Sequence, residues 1–346
     1  MAPLLEIDDL TIAFDTDDGD VTVVDGFSLD VGEGDTVGIV GESGSGKSVT
    51  ALTVMRLLAM PPARIVRGAI RYRGRDLLTA SPAELRAVRG SEIAMIYQDP
   101  MTALNPALTV RSQLTQVMRH NLGIGRSEAR RRAVEWLGRV GIPDAEQRVR
   151  DYPHQFSGGQ RQRLVIALAL CCDPSLLIAD EPTTALDVTV QAQILELVRD
   201  LRTQFGTAVV WITHDLGVVA GLVDRVAVMY AGRIVERAPV GPLFDRPRHP
   251  YTAGLLCSVP PRTGERRRLR PIAGTPPDLA RLGGGCPFQP RCDSAVDECV
   301  DTVPALTQVS GATAGHDAGC LRQDELTLAV PAPPAATSLG TEEETA

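Results

Sequence analysis

The sequence predicts an α/β fold with an antiparallel β region near its N-terminal end, and two patterns support this prediction. Apolar and polar residues alternate over residues 5–14, 21–24 and 27–31, as expected for strands that bury one face. Further along, short apolar strands alternate with segments of helical periodicity, which is typical of an α/β core. The chain has 346 residues, so it is long enough to bury a substantial core.

The N-terminal elements follow one another closely. Residues 17–20, with the sequence DDGD, predict a hairpin turn between the first two strands. Residues 35–40, DTVGIV, predict a short buried strand, and a glycine-rich turn follows it. A helix is predicted over residues 48–60, and Pro61 and Pro62 are expected to end it.

The composition changes after this helix. Residues 83–150 are rich in Arg, Ala, Leu and Glu at helical spacing, most clearly over residues 127–137, and predict a helical insert. Strands and helices then alternate at residues 176–179, 190–205, 208–213 and 226–229. After about residue 245, Pro, Gly, Arg and Cys become frequent, so we expect a separate C-terminal region. Residues 329–346 are rich in Pro, Ala and Thr and then acidic, and we expect them to be disordered.

Composition and local sequence patterns argue against three classes of protein. The formal net charge of −8 is unusual for a general nucleic-acid-binding protein, and the dense basic run at residues 265–270 is interpreted as a solvated loop. No window approaches the ~18 consecutive apolar residues that a membrane-spanning helix needs. Residues 1–9 lack the basic start and apolar stretch of a secretory leader. We therefore expect a soluble, cytoplasmic chain that meets a membrane only through a partner.

Residues 41–48, GESGSGKS, match the P-loop pattern G-x-x-x-x-G-K-[ST] between a predicted strand and a predicted helix. Such a loop turns backbone N–H groups towards phosphates, and the following helix adds its positive N-terminal dipole. We expect Lys47 to contact the β- and γ-phosphates of ATP and Ser48 to ligate Mg²⁺. The residues predicted to bind ATP here are Gly41, Ser43, Gly44, Ser45, Gly46, Lys47, Ser48 and Val49.

A second acidic element lies at residues 176–181, LLIADE, where an apolar strand is predicted to end in two carboxylates. Asp180 is expected to hold Mg²⁺, usually through water. Glu181 is expected to polarise the attacking water as general base, a role typically worth ~10²–10⁴-fold in rate. The alternative interpretation is an acidic N-cap of the next helix.

The segment FSGGQ at residues 156–160 precedes a predicted helix over residues 161–172. Together with the P-loop it resembles the signature of the ATP-binding subunits of ABC transporters, normally LSGGQ, with Phe in place of the leading Leu. N–H donors at such a helix start can grip a γ-phosphate. The resemblance implies that this phosphate belongs to ATP held by a second subunit. The residues implied to contact it are Ser157, Gly158, Gly159 and Gln160.

Other positions match further motifs of this family. Gln98 resembles the Q-loop glutamine, which senses Mg²⁺ and links the site to the helical insert. Asp187, in the segment ALD, resembles the D-loop. His214 resembles the switch histidine, which contacts the γ-phosphate and supports Glu181. Phe14 resembles the aromatic residue that stacks on adenine.

The resemblance covers residue 4 to about residue 325 and is closest to the ATPases of oligopeptide and dipeptide importers. Three segments carry it: QDPMTALNP at residues 98–106, HPYTAGLL at 249–256 and CPFQPRC at 286–292. Nickel importers and some other small-solute importers share these segments. The resemblance implies a P-loop NTPase (RecA-like) core with an N-terminal antiparallel β subdomain, a helical subdomain that carries the signature, and a small Cys-rich C-terminal appendage.

On this basis we expect a nucleotide-binding domain over residues 1–245, with its helical subdomain at about 83–170. A C-terminal domain over residues 246–325 and a disordered tail over 326–346 would follow. The implied function is ATP hydrolysis that powers uptake of di- or oligopeptides. The alternatives are the same role for nickel or another small solute, and a soluble ABC ATPase of nucleic-acid repair or translation. The single ATPase unit, the short helical insert and the acidic balance argue against the last of these.

The resemblance also implies partners and a location. Two nucleotide-binding subunits would face each other head to tail and sandwich two ATP molecules, and the second subunit is usually a related but different chain. Two membrane-spanning permease subunits and an extracytoplasmic solute-binding protein would complete the complex, and no nucleic acid is expected. The chain would then lie peripherally on the cytoplasmic face of the cell membrane.

Four of the seven cysteines crowd into the C-terminal region: Cys286, Cys292, Cys299 and Cys320. Four thiolates can close around a metal centre and replace a missing core. The spacing alone leaves three interpretations open: a 4Fe–4S cluster, Zn²⁺ with four sulfur ligands, and free thiols. The resemblance to peptide-importer subunits implies the 4Fe–4S cluster, with a structural role. Cys171, Cys172 and Cys257 are interpreted as packing residues.

Overall fold

A computed structural model describes residues 2–99, 103–184, 186–259 and 270–330. These residues form a mixed α/β structure with one four-stranded and one eight-stranded β-sheet. The predicted α/β class, with an antiparallel region before the core, is confirmed. Ala185 of the predicted D-loop, residues 100–102, residues 265–269 of the basic run and residues 331–346 of the predicted tail lie outside the described residues.

The first sheet is antiparallel and comes from the alternating N-terminal segments. It contains β1 (Leu5–Thr16), β2 (Gly19–Val31), β4 (Ala63–Tyr72) and β5 (Arg75–Asp76) in the order β2-β1-β4-β5. The first two strands pair antiparallel, with register shifts between Ile7 and Ala13, up to Thr16 opposite Gly19, so the predicted hairpin is present. Leu10, Ile12 and Phe27 have no exposed surface and belong to a core cluster shared with the second sheet.

The second sheet carries the core of the molecule. Its strands are β3 (Thr36–Val40), β6 (Ile93–Ile96), β7 (Leu176–Asp180), β8 (Ala208–Thr213), β9 (Arg225–Tyr230), β10 (Arg233–Pro239), β11 (Thr307–Gln308) and β12 (Asp317–Ala318). Their order is β11-β12-β10-β9-β3-β8-β7-β6, and the five from β9 to β6 are parallel. The carboxyl ends of these five strands therefore meet at one edge, where ligands bind in open α/β sheets.

The helices of the described part cover both faces of this sheet or extend from it. They are α1 (Lys47–Val54), α2 (Pro82–Val88), α3 (Val110–Leu122), α4 (Arg126–Arg139), α5 (Ala145–Arg148), α6 (Gly158–Leu170), α7 (Val188–Phe205), α8 (Leu216–Val219), α9 (Val240–Asp245) and α10 (Pro250–Ser258). α3, α4 and α6 pack together through Leu114, Trp136 and Ile166 in the larger core cluster. Among the described helices, none combines the length and apolar character needed to cross a bilayer.

The predicted end of the first helix was wrong. α1 stops at Val54, six residues before the predicted end at Met60. The N–H of Leu57 donates to Leu52 and that of Arg56 to Thr53, while Arg56 has a φ of +46°. This is a Schellman motif, which is usually marked by a glycine at the left-handed position. Because arginine stands there instead, the sequence carries no stop signal before Pro61.

The predicted helical insert contains a strand that the sequence analysis missed. β6 lies inside residues 83–150 and pairs in parallel with β7 at the edge of the second sheet. Its four residues are apolar but too few to show a period of two. α3 follows from Val110.

The C-terminal region contributes to the same sheet and core. β12 pairs with β10 through Glu236 opposite Ala318, and β11 pairs with β12. Glu236 is fully buried, accepts the N–H groups of Arg248 and His249, and lies 2.8 Å from Nε2 of His316. The predicted boundary near residue 245 stays a prediction, since chain segments on both sides of it share this packing.

Candidate active site

The phosphate-loop segment forms the turn between β3 and α1 that the sequence predicts. Gly46 precedes the helix with a φ of +101°, and a Cβ there would lie 2.8 Å from the carbonyl oxygen of Val23. Lys47 is buried, and its Nζ donates to the carbonyl oxygens of Gly41 at 2.7 Å and Glu42 at 2.9 Å. The loop is thus closed around a cationic side chain at a helix N-terminus, which is a suitable setting for phosphate.

The electrostatics of Lys47 reflect two opposed effects. Burial lowers the pKa of its ammonium group, and the nearby carboxylates of Glu181 and Asp180 act in the opposite direction. Lys47 and these two carboxylates belong to different elements, α1 and the end of β7. Their proximity supports the prediction that they serve one site.

Asp180 is the last residue of β7 and lies next to the start of α1. Its Oδ1 accepts a hydrogen bond from Oγ of Ser48 at 3.1 Å. Burial raises the pKa of Asp180, and the Ser48 hydrogen bond opposes that rise. The two oxygen-bearing side chains predicted to hold Mg²⁺ are therefore adjacent, and hard cations prefer oxygen ligands.

Glu181 lies at the centre of a hydrogen-bonded group. Its Oε2 accepts from Nε2 of Gln98 at 3.1 Å and from Oγ1 of Thr184 at 2.9 Å, and its Oε1 lies 3.2 Å from Nδ1 of His214. Gln98 follows β6 and His214 follows β8, so three neighbouring strand ends supply the group. The predicted catalytic residues are thus brought together. Thr184 joins them although no family motif singled it out; its position three residues after Glu181 is the only local signal.

The backbone and the ionisation of Glu181 are both unusual. Its φ is +47°, and its N–H donates to the carbonyl oxygen of Ile212 at 2.9 Å. Burial alone would raise the pKa of Glu181, but hydrogen bonds from His214 and Thr184 and the charge of Lys47 outweigh it and leave the pKa lowered. A carboxylate that stays ionised and faces an exposed imidazole can act as a general base.

The signature segment lies at the start of a helix, but α6 begins at Gly158, three residues before the predicted start at Arg161, and the segment is not bonded to this group. Oγ of Ser157 accepts the N–H of Gln160 and Oε1 of Gln160 accepts the N–H of Ser157, which forms a capping box at the start of α6. Ser157 and Gly158 are exposed. In the part of the chain that the structure describes, no hydrogen bond or ion pair joins this segment to Lys47 or Glu181. Its predicted contact with ATP held by a second subunit stays a prediction.

The departure from LSGGQ has a structural explanation. Phe156 is only 3% exposed, and the guanidinium of Arg148 lies 4.2 Å from its ring centroid. The larger side chain is thus accommodated in the core, and Ser157 stays exposed at the helix start. Asp187 caps α7 by accepting the N–H of Val190 at 2.9 Å, and Val190 in turn packs on Gly159. The D-loop and signature elements are therefore in direct contact.

Phe14 lies at the periphery of the phosphate site. It is half-buried on β1, opposite Val21 of β2, and the adjoining Val23 of β2 lies against Gly46. This location is compatible with stacking on a base, which stays a prediction.

The four C-terminal cysteines line one cavity of about 20 Å³. The cysteine side chains that border it are Cys286, Cys292, Cys299 and Cys320. Burial raises the pKa of the Cys286 and Cys292 thiols and raises that of Cys320 to about 11, with the neighbouring sulfurs adding to each rise. Nevertheless, the described residues include no group of three or more His, Cys, Asp or Glu side chains placed to hold a metal ion. The predicted metal centre is thus not preformed, although its four sulfurs share one cavity.

The packing role predicted for Cys171 and Cys172 is confirmed by their burial.

Comparison with protein families gives two matches. The model described as ABC transporter matches residues 24–184. The model described as oligopeptide/dipeptide transporter, C-terminal region, matches residues 235–299. The first match includes the P-loop, the signature segment and Glu181, and the second includes three of the four C-terminal cysteines.

Several curated proteins are similar over most of the chain. An oligopeptide transport ATP-binding protein OppD of Bacillus subtilis is 52% identical over 308 residues, 89% of this chain and 86% of that protein. The OppD protein of Salmonella typhimurium is 50% identical, with 87% of this chain and 89% of that protein covered. A putative peptide import ATP-binding protein of Brucella abortus is 49% identical, with 90% and 93% covered.

Solved structures resemble the cassette part of the molecule. A dimeric structure of a post-hydrolysis state of the ATP-binding cassette MJ0796, bound to ADP and Pi, gives a TM-score of 0.61 at 26% identity and covers 68% of this chain and 98% of that one. CbiO1 from Clostridium perfringens, part of an ABC transporter complex, gives 0.60 at 26% identity, with 71% and 92% covered.

Proposed function

The chain belongs to the family of ABC transporter ATP-binding subunits, and from this premise we propose that it hydrolyses ATP to power the uptake of di- or oligopeptides. The observation that carries the proposal is the meeting of Lys47, Asp180, Glu181 and His214 at the carboxyl ends of adjacent parallel strands. The peptide part rests on the match of the C-terminal region and on relatives that are named for peptide import. Nothing in the described residues favours nickel or nucleic acid as an alternative.

At the phosphate site, the residues divide into binding and base catalysis. The amide-lined loop from Gly41 to Val49 and the Lys47 ammonium would hold the β- and γ-phosphates. Ser48 and Asp180, with Gln98 beside them, would hold Mg²⁺, which neutralises part of the phosphate charge. Phe14 would stack on the adenine.

Glu181 would take a proton from water as the water oxygen bonds to the γ-phosphorus and the bond to the ADP oxygen breaks. Thr184 and Gln98 hold Oε2 and His214 approaches Oε1, so the carboxylate has a fixed orientation. His214 is half exposed and is free to contact the γ-phosphate as well. The role of each residue follows from which atom it reaches.

The transport cycle would need a second subunit. The segment from Ser157 to Gln160, exposed at Ser157 and Gly158, would grip the γ-phosphate of ATP bound by the partner, and Asp187 would lie at the same interface. Charge-assisted hydrogen bonds of this kind are worth ~1.5–3 kcal/mol each and would drive closure. Loss of the γ-phosphate would reopen the pair and rock two permease subunits through Gln98 and the helical insert. We further propose that the partner is a related but different chain, that a solute-binding protein supplies the peptide, and that the chain is peripheral on the cytoplasmic face of the membrane.

The C-terminal cysteines are proposed to hold a structural 4Fe–4S cluster, with Zn²⁺ as the alternative. Thiolates suit both groups. The cavity is about 20 Å³, close to the size of one water, so the site would have to change shape to enclose a cluster, and less so for a single ion. We expect anaerobically purified protein to absorb near 400 nm and to contain iron and sulfide. Stoichiometric zinc without iron would favour the alternative, and the absence of both metals would contradict the proposal.

The catalytic proposal is tested by Glu181→Gln in the assembled complex. The amide keeps the shape of the side chain but cannot accept the proton, so we expect hydrolysis to fall by ~10²–10⁴-fold while ATP still binds. Glu196, exposed on α7 and without a described partner, provides the matched control Glu196→Gln, which should hydrolyse ATP normally. Unchanged hydrolysis in Glu181→Gln would remove Glu181 from its role.

A further inference from the structure

Arg291, in the C-terminal CPFQPRC segment, forms a nearly buried ion pair with the phosphate loop. Its side chain is only 5% exposed. Nη1 and Nη2 donate separately to the two carboxylate oxygens of Glu42, at 2.7 and 3.0 Å. Hydrogen bonding to Glu42 also raises the pKa of Arg291, so the guanidinium is charged at any relevant pH. Bidentate pairs of this kind fix the orientation as well as the separation of the two groups.

The second C-terminal segment, HPYTAGLL, contacts the same loop residue. The hydroxyl of Tyr251 accepts the backbone N–H of Glu42 at 2.8 Å. Nη1 of Arg291 also lies 3.3 Å from the hydroxyl of Tyr230, the last residue of β9. Glu42 is therefore held through its side chain and its backbone by two segments that are more than 200 residues away in the chain.

An aromatic cluster holds these partners in place. The ring centroids of Tyr230 and Tyr251 lie 4.5 Å apart, and both lie within 5.4 Å of the ring of Phe288. The guanidinium of Arg291 lies 6.0 Å from the Phe288 centroid. Aromatic packing of this kind, with a cation at the ring, restricts the guanidinium to one orientation.

The position of Glu42 makes this contact relevant to nucleotide. Glu42 is the second residue of the phosphate loop, and its carbonyl oxygen accepts Nζ of Lys47 at 2.9 Å. An unpaired carboxylate beside a phosphate site would repel the negatively charged ligand. Its side chain would also be free to take other conformations, which would disturb the conformation of the loop. The paired carboxylate does neither.

We propose that Arg291 is a positioning residue for nucleotide binding: by neutralising and orienting Glu42, it makes the affinity of the phosphate loop depend on the docked Cys-rich region. This inference rests on the proposed function, since it assumes that the Lys47 loop binds the nucleotide. Under this proposal, the C-terminal segments CPFQPRC and HPYTAGLL support nucleotide binding at the ATPase site, a role that the P-loop and signature motifs do not assign to them.

The test measures binding of ADP and Mg²⁺ to the full chain by calorimetry, because ADP occupies the same loop and is not consumed. We expect Arg291→Gln to raise the Kd by about tenfold, a typical magnitude for coupling between two sites. Glu42→Gln removes the unpaired charge, so the double variant Glu42→Gln/Arg291→Gln should bind several-fold more tightly than Arg291→Gln alone. Arg281→Gln, in the same region but 86% exposed, is the matched control and should bind as the unaltered chain does.

Three results would contradict the positioning role of Arg291. Wild-type affinity in Arg291→Gln would overturn the proposal. A weakened Arg291→Gln that Glu42→Gln fails to improve would assign Arg291 a purely architectural role and would overturn it equally. Should Arg291→Gln not fold, Arg291→Lys keeps the charge without the bidentate geometry; unchanged affinity in that variant would also contradict the proposal. Lys47→Ala separates this inference from the proposed function, because normal ADP binding in Lys47→Ala would refute the site itself.

Discussion

Glu181, the predicted general base, has an unusual backbone conformation and three hydrogen-bonding neighbours. Its φ of +47° is uncommon outside glycine, and such conformations store roughly 1–3 kcal/mol unless the surroundings hold them. Here the N–H bond to Ile212 and the three side chains around the carboxylate supply that restraint. As a result, the Glu181 carboxylate is held in one orientation and stays ionised. Of its partners, Thr184 has an uncharged replacement of nearly the same shape, valine, that removes only the hydrogen-bond donor.

Thr184→Val therefore tests how the ionisation of Glu181 is set. Valine has nearly the same shape as threonine but cannot donate, so one of the hydrogen bonds that lower the pKa of Glu181 is lost and the pKa rises. At a given acidic pH, a smaller fraction of Glu181 is then unprotonated. We expect the acid limb of the kcat–pH profile to shift to higher pH, with little change in kcat above neutrality.

The control for this prediction is Thr203→Val, because Thr203 is exposed on α7 and its hydroxyl donates to the carbonyl oxygen of Arg199. Its acid limb should coincide with that of the unaltered protein. An acid limb that stays in place in Thr184→Val would mean that Thr184 does not govern the ionisation of Glu181 during turnover.

At the scale of elements, α6, which starts in the signature segment, and α7, which Asp187 caps, approach each other closely at Gly159. A Cβ on Gly159 would lie 2.7 Å from Cγ1 of Val190, in the first turn of α7. A β-branched side chain cannot turn aside easily. The start of α6 is therefore set by its packing on α7 as well as by the Ser157 capping box.

Gly159→Ala tests this contact, because it should lower the free energy of unfolding. Overpacking of this kind costs typically about 1–3 kcal/mol, more than the ~1 kcal/mol that alanine gains over glycine in a helix. We expect a lower free energy of unfolding in urea, and in a Val190→Ala background the same substitution should become neutral or stabilising. At Gly158, where a Cβ would meet no atom within 4 Å, alanine should not destabilise. Equal effects at 158 and 159 would refute the packing argument.

The elements were predictable from sequence where the local signal and the tertiary structure agree. β8 and α7 have apolar runs, caps and spacing that point to one structure, and they match to within two residues. The end of α1 was missed because Arg56 takes a conformation that usually marks glycine. β6 was missed because a four-residue edge strand is defined by its pairing with β7 and not by its own pattern.

The same distinction applies to the site. Short sequence motifs predict the roles of Lys47, Asp180 and Glu181, so it was foreseeable that these residues lie close together in the fold. The pairing of Glu42 with Arg291 was not, because it joins residues far apart in the chain and depends on a side-chain geometry that no motif encodes.

At the scale of the whole molecule, two surfaces are predicted to bind phosphate, and no hydrogen bond or ion pair joins them among the residues that the structure describes. The Lys47 loop and Glu181 form one, and the exposed start of α6 forms the other. Val188, beside Asp187, is 83% exposed although it is apolar. A similar fold is known as a dimer with ADP and Pi. Each surface is therefore expected to be completed by another subunit.

Ser157→Arg tests this arrangement in the Glu181→Gln background, where ATP persists. Arginine at the helix start would fill the space for the partner's γ-phosphate, so we expect ATP-dependent association with the second ATPase subunit to be lost in sedimentation while ATP still binds to the Lys47 loop. Ser81→Arg is the matched control, because Ser81 is also the exposed first residue of a capping box, at α2, and should leave association intact. If Ser157→Arg associates with its partner as tightly as the control does, the start of α6 does not face the nucleotide of another chain, and each site would have to work within a single subunit.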